Sequence, residues 1–80
     1  MNIEVHNNVH EFKKVYKEMV SKLVTIRNQA NLTQASMAEW LNVDRRKIMQ
    51  FEGLKKINLE LLLLYGDKLS TDIKLNYQIQ

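Results

Sequence analysis

Residues 33–52 read TQASMAEWLNVDRRKIMQFE, and the prediction of the fold starts from this segment. Two helical segments of eight residues, 34–41 and 45–52, are separated by a turn of three residues. The small side chain of Ala38 would let the two helices cross closely, and Val43 would fill the turn. The side chains that we expect to be buried are Met37, Ala38, Leu41, Val43, Ile48 and Phe51. We therefore predict a helix-turn-helix unit over residues 33–52.

The starts of three helices carry a common signal. Thr33, Asp44 and Asn58 are residues that N-cap helices, because their side-chain oxygens accept hydrogen bonds from free backbone N–H groups. An apolar residue precedes each cap and can pack against the fourth residue of the helix that follows. These signals predict helices near 34–41, 45–52 and 59–69.

The two glycines of the chain both fall near predicted helices. Gly53 is expected to take the left-handed conformation that closes the helix over 45–52. Gly66 lies inside the last helix, where glycine costs about 1 kcal/mol relative to alanine. We expect Gly66 either to permit a close backbone approach or to mark an early end of that helix.

A long amphipathic helix, or two collinear pieces, is predicted for residues 9–30. Apolar residues recur there at intervals of three and four, which places them on one helical face: Val9, Phe12, Tyr16, Met19, Leu23, Ile26 and Ala30. We expect this face to serve core and dimer packing.

The ends of the chain show a different period. Residues 73–79 alternate apolar and polar side chains, which predicts a C-terminal β-strand. Ile3 and Val5 show the same alternation over a shorter segment near the N-terminus. A strand needs a partner for its backbone groups. The two strands are expected to pair with each other, with their copies in a second subunit, or both.

Length and composition limit the class of protein. The 80 residues make one domain over 1–80, and a chain this short gains stability from oligomerisation where disulfides and metals are absent. There is no cysteine, which excludes disulfides and thiolate metal sites. The sequence shows neither a membrane-spanning apolar run nor a secretory signal, so a cytoplasmic protein with no membrane partner is expected.

The positive charge is concentrated in one short segment. The whole chain carries a net charge of +3. Residues 44–56 contain five basic and two acidic side chains, which is also a net +3, and the other segments cancel one another. A local excess of this kind is typical of a surface that binds nucleic acid.

The second helix of the unit is predicted to read double-stranded DNA. Its outer face presents Arg45, Arg46 and Gln50 near the end that enters a major groove, where arginine can bind guanine and glutamine can bind adenine. The lysines flanking this face suit phosphates, which position a protein without reading sequence; they are Lys47, Lys55 and Lys56.

The chain resembles the Xre/Cro/CI-type helix-turn-helix repressors over roughly residues 19–72. The matching positions are Leu23-x3-Arg27, Leu32-Thr33-Gln34, Met37-Ala38-x2-Leu41-x-Val43, Ile48-x2-Phe51-Glu52 and Leu59-x2-Leu62. The resemblance implies a lambda-repressor-like helical bundle that binds palindromic operators as a homodimer. It implies that Gln34 helps to place the recognition helix against DNA, and we include the adjoining Thr33 in the predicted DNA-binding set.

Four features depart from the family pattern. Asn42 stands where glycine is preferred in the turn, although asparagine tolerates a left-handed conformation. Ser36 replaces the usual acidic partner of the Thr33 cap. The loop after Glu52 is one residue shorter and lacks a proline. Trp40 stands where an exposed basic residue is common, and it would either cover the first helix or mark a surface for a protein partner.

The expected function is that of a sequence-specific DNA-binding transcriptional regulator. Repression by covering a promoter is the expected mode, and activation through contact with polymerase is the other mode. The alternative is an antitoxin that neutralises a toxin protein and also binds its own operator. This alternative depends on the tail, since residues 59–75, a helix running into an alternating strand, resemble the Hip-type antitoxins. The two functions are compatible with each other.

Enzymatic activity is not expected. The sequence contains no phosphate-binding glycine loop, no cysteine nucleophile and no convincing serine–histidine pair. His6 and His10 are four residues apart, but no carboxylate or cysteine nearby completes a metal site. We therefore expect neither a cofactor nor a metal ion.

Overall fold

Four α-helices make up the part of the chain that the structure describes. The computed structural model describes the backbone of residues 5–77 and the side chains of residues 9–70. Its helices are α1 (Val5–Gln29), α2 (Gln34–Leu41), α3 (Arg45–Glu52) and α4 (Leu59–Tyr77). α2 packs against α3, and α1 packs against both α3 and α4. The prediction of a mainly α fold is confirmed.

The three predicted N-caps all form. Thr33 Oγ1 accepts a hydrogen bond from the backbone N–H of Ser36 at 3.0 Å. Asp44 Oδ1 accepts one from Arg46 at 2.8 Å. α4 begins after a third cap, in which the side-chain amide oxygen of Asn58 accepts a hydrogen bond from the backbone N–H of Leu61 at 3.0 Å. The helix starts of α2, α3 and α4 are therefore set by local side-chain chemistry.

Three helices also end in the same way, at one left-handed residue each. These residues are Asn31 with φ 62°, Asn42 with φ 57° and Leu54 with φ 58°. In each case the N–H of the next residue donates to the carbonyl five positions before it, at 3.1, 2.9 and 3.0 Å respectively. This is the hydrogen bond of a Schellman motif, which satisfies carbonyls that the helix leaves free. The expected tolerance of Asn42 for this conformation is confirmed.

The prediction for Gly53 is wrong by one residue. Gly53 has φ −82°, and the left-handed position after α3 belongs to Leu54. The hydrogen bonds explain the difference, because the Leu54 N–H donates to Phe51 and the Lys55 N–H donates to Gln50. The register of these two bonds, rather than the position of the glycine, decides which residue turns left-handed.

The core lies where all four helices meet. Met37, Ala38 and Leu41 of α2 and Ile48 and Phe51 of α3 are buried, as predicted. Val43 is half-buried against this core, so it packs at the turn without being enclosed. α1 and α4 complete the core with Tyr16, Val20, Leu61, Leu62, Tyr65 and Leu69.

The apolar face of α1 is only partly covered. Tyr16 and Val20 are buried, whereas Val9, Phe12 and Met19 remain between 44% and 47% exposed. α4 begins beside Tyr16, because the Asn58 N–H donates to the Tyr16 hydroxyl at 2.9 Å. The first turns of α1 therefore extend past the core that the other helices form.

The predicted C-terminal strand is not present over residues 73–77, which continue α4 as far as Tyr77. Residues 78 and 79 of that prediction lie outside the described part. At the other end, Val5 begins α1, and Ile3 lies outside the described residues. A helix that already exists gains one hydrogen bond with each added residue, whereas a strand needs a separate partner. Residues 5–77 contain no strand that could pair with it.

Gly66 neither ends α4 nor permits a close approach. The helix passes through it, and a Cβ atom placed there would meet no atom within 4 Å. Both expectations for this glycine are therefore wrong. Its missing side chain instead leaves an opening on the surface of α4.

Candidate nucleic-acid interface

α3 separates an anchoring face from an exposed face. Ile48 and Phe51 are 0% and 1% exposed and hold the helix against the core. The opposite face presents Arg45, Arg46 and Gln50 to solvent, as the sequence predicts. Both arginines lie at the N-terminal end of α3, directly after the Asp44 cap. This arrangement leaves their guanidinium groups available to a ligand that approaches that end.

A shallow depression joins α3 to the loop that follows it. Lys47 and Gln50 of α3 line one side, and Lys56 lines the other. Phe51, Ile57 and Asn58 form its remaining walls. The structure thus brings together two predicted phosphate-binding lysines and one predicted base-reading side chain. Lys55, the third predicted lysine, is exposed in the same loop.

The two predicted residues at the start of α2 have separate surroundings. The Thr33 hydroxyl is 2.9 Å from the Ser36 hydroxyl and also caps α2, so it takes part in local hydrogen bonding. Gln34 is half-buried, and its side-chain amide donates to Glu52 Oε1 at 3.1 Å. Gln34 therefore contacts the C-terminal end of α3, away from the end that carries the arginines.

A buried ion pair fixes the end of α3, and the sequence reasoning did not assign it a role. Arg27 of α1 donates from Nε to Glu52 Oε2 at 2.7 Å and from Nη2 to Glu52 Oε1 at 2.8 Å. The two side chains are only 8% and 6% exposed. Arg27 also donates to the Leu32 carbonyl, and the Tyr65 hydroxyl of α4 donates to Glu52 Oε2. Together with Gln34, this network connects α3 to every other helix described.

The network determines the protonation of its members. Burial alone would raise the pKa of Glu52, but hydrogen bonds from Arg27, Tyr65 and Gln34 outweigh it, and the net effect lowers the pKa. The hydrogen bond to Glu52 raises the pKa of Arg27, against the effect of burial. Burial and the hydrogen bond to Glu52 raise the pKa of Tyr65. Near neutral pH the network therefore contains a carboxylate, a guanidinium and a neutral phenol.

The sequence carries only part of the signal for this network. The spacing of the apolar residues predicts that Arg27 lies away from the apolar face of α1, and this is wrong, because Arg27 is 7% exposed. Glu52, by contrast, directly follows Phe51, which the sequence predicts to be buried. Two opposite charges at inward positions of neighbouring helices indicate a buried pair. Their separation of 25 residues hides the pairing until the fold is known.

An apolar groove lies between α1 and α4. Met19, Leu23 and Ile26 line one wall, and Leu62, Leu63 and Gly66 line the other. Leu63 is 71% exposed, which is high for a leucine in the middle of a helix. The opening that Gly66 leaves is part of this groove.

Trp40 lies at another place on the surface. Its side chain is 39% exposed, and Lys68 Nζ of α4 is 5.5 Å from the ring centroid. This distance is within the range of a cation–π interaction. The tryptophan thus contacts α4 and still presents part of its ring to solvent.

Two kinds of feature are absent from the part of the chain that the structure describes. Among the described residues, no three histidine, cysteine, aspartate or glutamate side chains are grouped closely enough to bind a metal ion. None of the helices over residues 5–77 combines the length and the apolar character that crossing a membrane requires.

Comparison with known proteins adds no relative. No protein-family model matches the chain, and no curated protein or solved structure is significantly similar to it. The resemblance to the Xre/Cro/CI-type repressors therefore depends on the matching residues of the sequence alone.

Proposed function

We propose that this protein is a sequence-specific DNA-binding transcriptional regulator, and that it represses by occupying a palindromic operator. The observation that supports this function is the N-terminal end of α3, where Arg45 and Arg46 are exposed on a helix that is anchored from behind. Side chains at this end of a recognition helix reach base edges in the major groove. Arg45, Arg46 and Gln50 read bases, and Lys47, Lys55 and Lys56 bind phosphates.

The buried network supports the same function. Base reading requires side chains that are held in a defined position, because a bidentate hydrogen bond tolerates little displacement. Glu52 joins α3 to Arg27, Gln34 and Tyr65, which belong to three different helices. In this proposal Gln34 orients α3 through Glu52, and Thr33 fixes the start of α2 by capping it.

The proposed partner in the apolar groove is a second copy of the chain. One recognition helix reads only a half-site, and a palindromic operator needs two of them about 34 Å apart. The exposed Leu63 and the half-covered face of α1 offer apolar area that a dimer would bury. We propose no toxin partner. Of the two features that suggested one, the strand is replaced by helix over residues 73–77, and Trp40, which is 39% exposed, does not by itself define a partner.

The experiment is iterative selection from a random DNA library at about 150 mM salt, where phosphate contacts alone bind weakly. Enrichment of a palindrome with two half-sites is expected. Arg45→Ala and Arg46→Ala should each weaken operator binding by about 1–3 kcal/mol and relax base choice at one position in each half-site. Lys14→Ala, which also removes an exposed positive charge, serves as the matched control.

Two results would contradict the proposal. Wild-type protein that enriches no sequence does not read bases. Arginine variants that bind operator and scrambled DNA with wild-type affinities would remove Arg45 and Arg46 from the reading set.

The dimer has its own test in Leu63→Glu, which places a charge in the groove. The variant should sediment as a monomer and lose affinity for the palindrome while it retains affinity for a single half-site. A variant that sediments as wild type does would assign the dimer contact to another surface.

A further inference from the structure

We propose that the DNA-binding surface extends beyond the helix-turn-helix unit onto α1, where Lys13 and Lys17 bind the phosphate backbone. This inference rests on the proposed function, because it assigns additional contacts to the same ligand. Lys13 and Lys17 are four residues apart, so they lie on one side of α1, and both are exposed.

A second depression brings these two lysines to the loop after α3. It is lined by Lys13, Tyr16, Lys17, Leu54, Lys55, Lys56 and Ile57. Lys56 and Ile57 also line the depression that contains Lys47 and Gln50. The two depressions therefore share a wall, and one continuous surface runs from Gln50 of α3 to Lys17 of α1.

The contact between α1 and the loop is built into the fold. Tyr16 is 4% exposed, and its hydroxyl accepts the Asn58 N–H at 2.9 Å. At the other end of the loop, left-handed Leu54 turns the chain as it leaves α3. The loop lysines are thereby held beside the side of α1 that carries Lys13 and Lys17.

The charge of this surface fits a polyanion. Four lysines line the second depression, and neither depression has an acidic side chain in its wall. Glu11 and Glu18 of α1 lie on other sides of the helix by their spacing from Lys13 and Lys17. A lysine ammonium binds phosphate as a point charge and makes no demand on the base sequence.

Continuity with α3 favours DNA over an acidic protein as the ligand. The surface begins at side chains proposed to read bases, so a duplex bound there passes the loop lysines and then α1. A separate acidic partner would need no such continuity. The two ligands also differ in their response to salt. Each phosphate contact that is lost makes the plot of log affinity against log salt less steep, by about 0.9.

The test compares Lys13→Gln, Lys17→Gln and the double variant with Lys14→Gln, which removes the same charge from an exposed position on α1 that lines neither depression. The probes are the selected operator and a scrambled duplex of equal length. Fluorescence anisotropy between 50 and 200 mM salt gives the slope for each protein. For the double variant the slope should be less steep by about 1.8. Its loss of affinity relative to wild type should therefore shrink about tenfold between 50 and 200 mM salt.

The same deficit is expected on both duplexes, with the preference for operator unchanged. A double variant whose slope equals that of Lys14→Gln would overturn the proposal. If that variant instead loses binding only to a polyglutamate peptide, the surface belongs to an acidic protein partner.

The outcomes separate this proposal from the proposed function. Wild-type protein that binds DNA without any operator preference would contradict the regulator, and the slopes on scrambled duplex would still decide the role of Lys13 and Lys17. Wild-type protein that binds neither duplex would overturn both proposals.

Discussion

Glu52→Gln should lower the free energy of unfolding strongly, although it hardly changes the shape of the side chain. The Glu52 carboxylate accepts two hydrogen bonds from Arg27, one from Gln34 and one from Tyr65. The amide has almost the same size, but it replaces an acceptor oxygen with a donor group and removes the negative charge. Arg27, whose side chain is 8% exposed, would then carry an uncompensated charge.

The expected loss follows from the burial of the pair. Removing one partner of a buried ion pair destabilises a protein by about 3–5 kcal/mol, because the other charge remains without compensation. A chain of this length has a free energy of unfolding of about 4–12 kcal/mol. Glu52→Gln should therefore remove a large part of the stability and lower the melting temperature by at least about 12 °C.

Urea unfolding followed by circular dichroism measures this loss. Glu39→Gln is the control, because Glu39 is exposed on α2 and its replacement should change stability by less than about 0.5 kcal/mol. The double variant Arg27→Met/Glu52→Gln removes the uncompensated charge and should be more stable than Glu52→Gln alone. The reasoning is refuted if Glu52→Gln unfolds within about 1 kcal/mol of wild type, or if the double variant is the less stable of the two.

Four further predictions concern pH, packing and the end of α3. The lowered pKa of Glu52 means that the unfolded chain binds more protons, so stability should fall as pH drops below about 4.3, and Glu52→Gln should flatten this acid limb in a urea series. The raised pKa of Tyr65 should make stability fall above about pH 10, which Tyr65→Phe would remove. Ala38→Leu should overpack the α2–α3 crossing and cost about 1–3 kcal/mol, and an unchanged melting temperature would refute this. Leu54→Gly should stabilise by about 0.5–1 kcal/mol, because left-handed backbone is strained for leucine; a loss of stability would show that its packing matters more.

The helix starts could be predicted because they depend on neighbouring residues. Thr33, Asp44 and Asn58 each satisfy backbone N–H groups two or three positions away. No distant part of the chain is needed for such a bond, so the sequence contains the whole signal. The same locality explains why α2 and α3 have the predicted boundaries.

The helix ends were harder to predict, because several continuations compete there. Gly53 is permissive, yet hydrogen-bond register places the left-handed residue at Leu54. Over residues 73–77 an alternating pattern competes with the extension of an existing helix, and the helix continues. A short alternation of apolar and polar residues does not establish a strand when no partner strand is identified.

The proposed base-reading residues and the residues that orient them differ in how far they could be predicted. Arg45 and Arg46 follow from the position of α3 in the unit, since the pattern of buried residues determines which face is exposed. The contact of Lys13 with the loop, like the pairing of Arg27 with Glu52, depends on how α1 crosses residues far along the chain. Charged side chains are normally expected in solvent, so only the fold distinguishes a buried pair or a shared surface from isolated charges.

In the proposed function, the buried charges explain how so short a helix keeps a fixed orientation. α3 has eight residues, about 12 Å of helix, and it could not keep its orientation by its own hydrogen bonds. Its middle is held by Ile48 and Phe51, and its C-terminal end is held by Glu52, whose partners lie on three helices. The N-terminal end, with Arg45 and Arg46, carries none of these anchors and can face a ligand fully. A negative charge fixed at one end of α3 thus allows positive charges at the other end to act from a defined position.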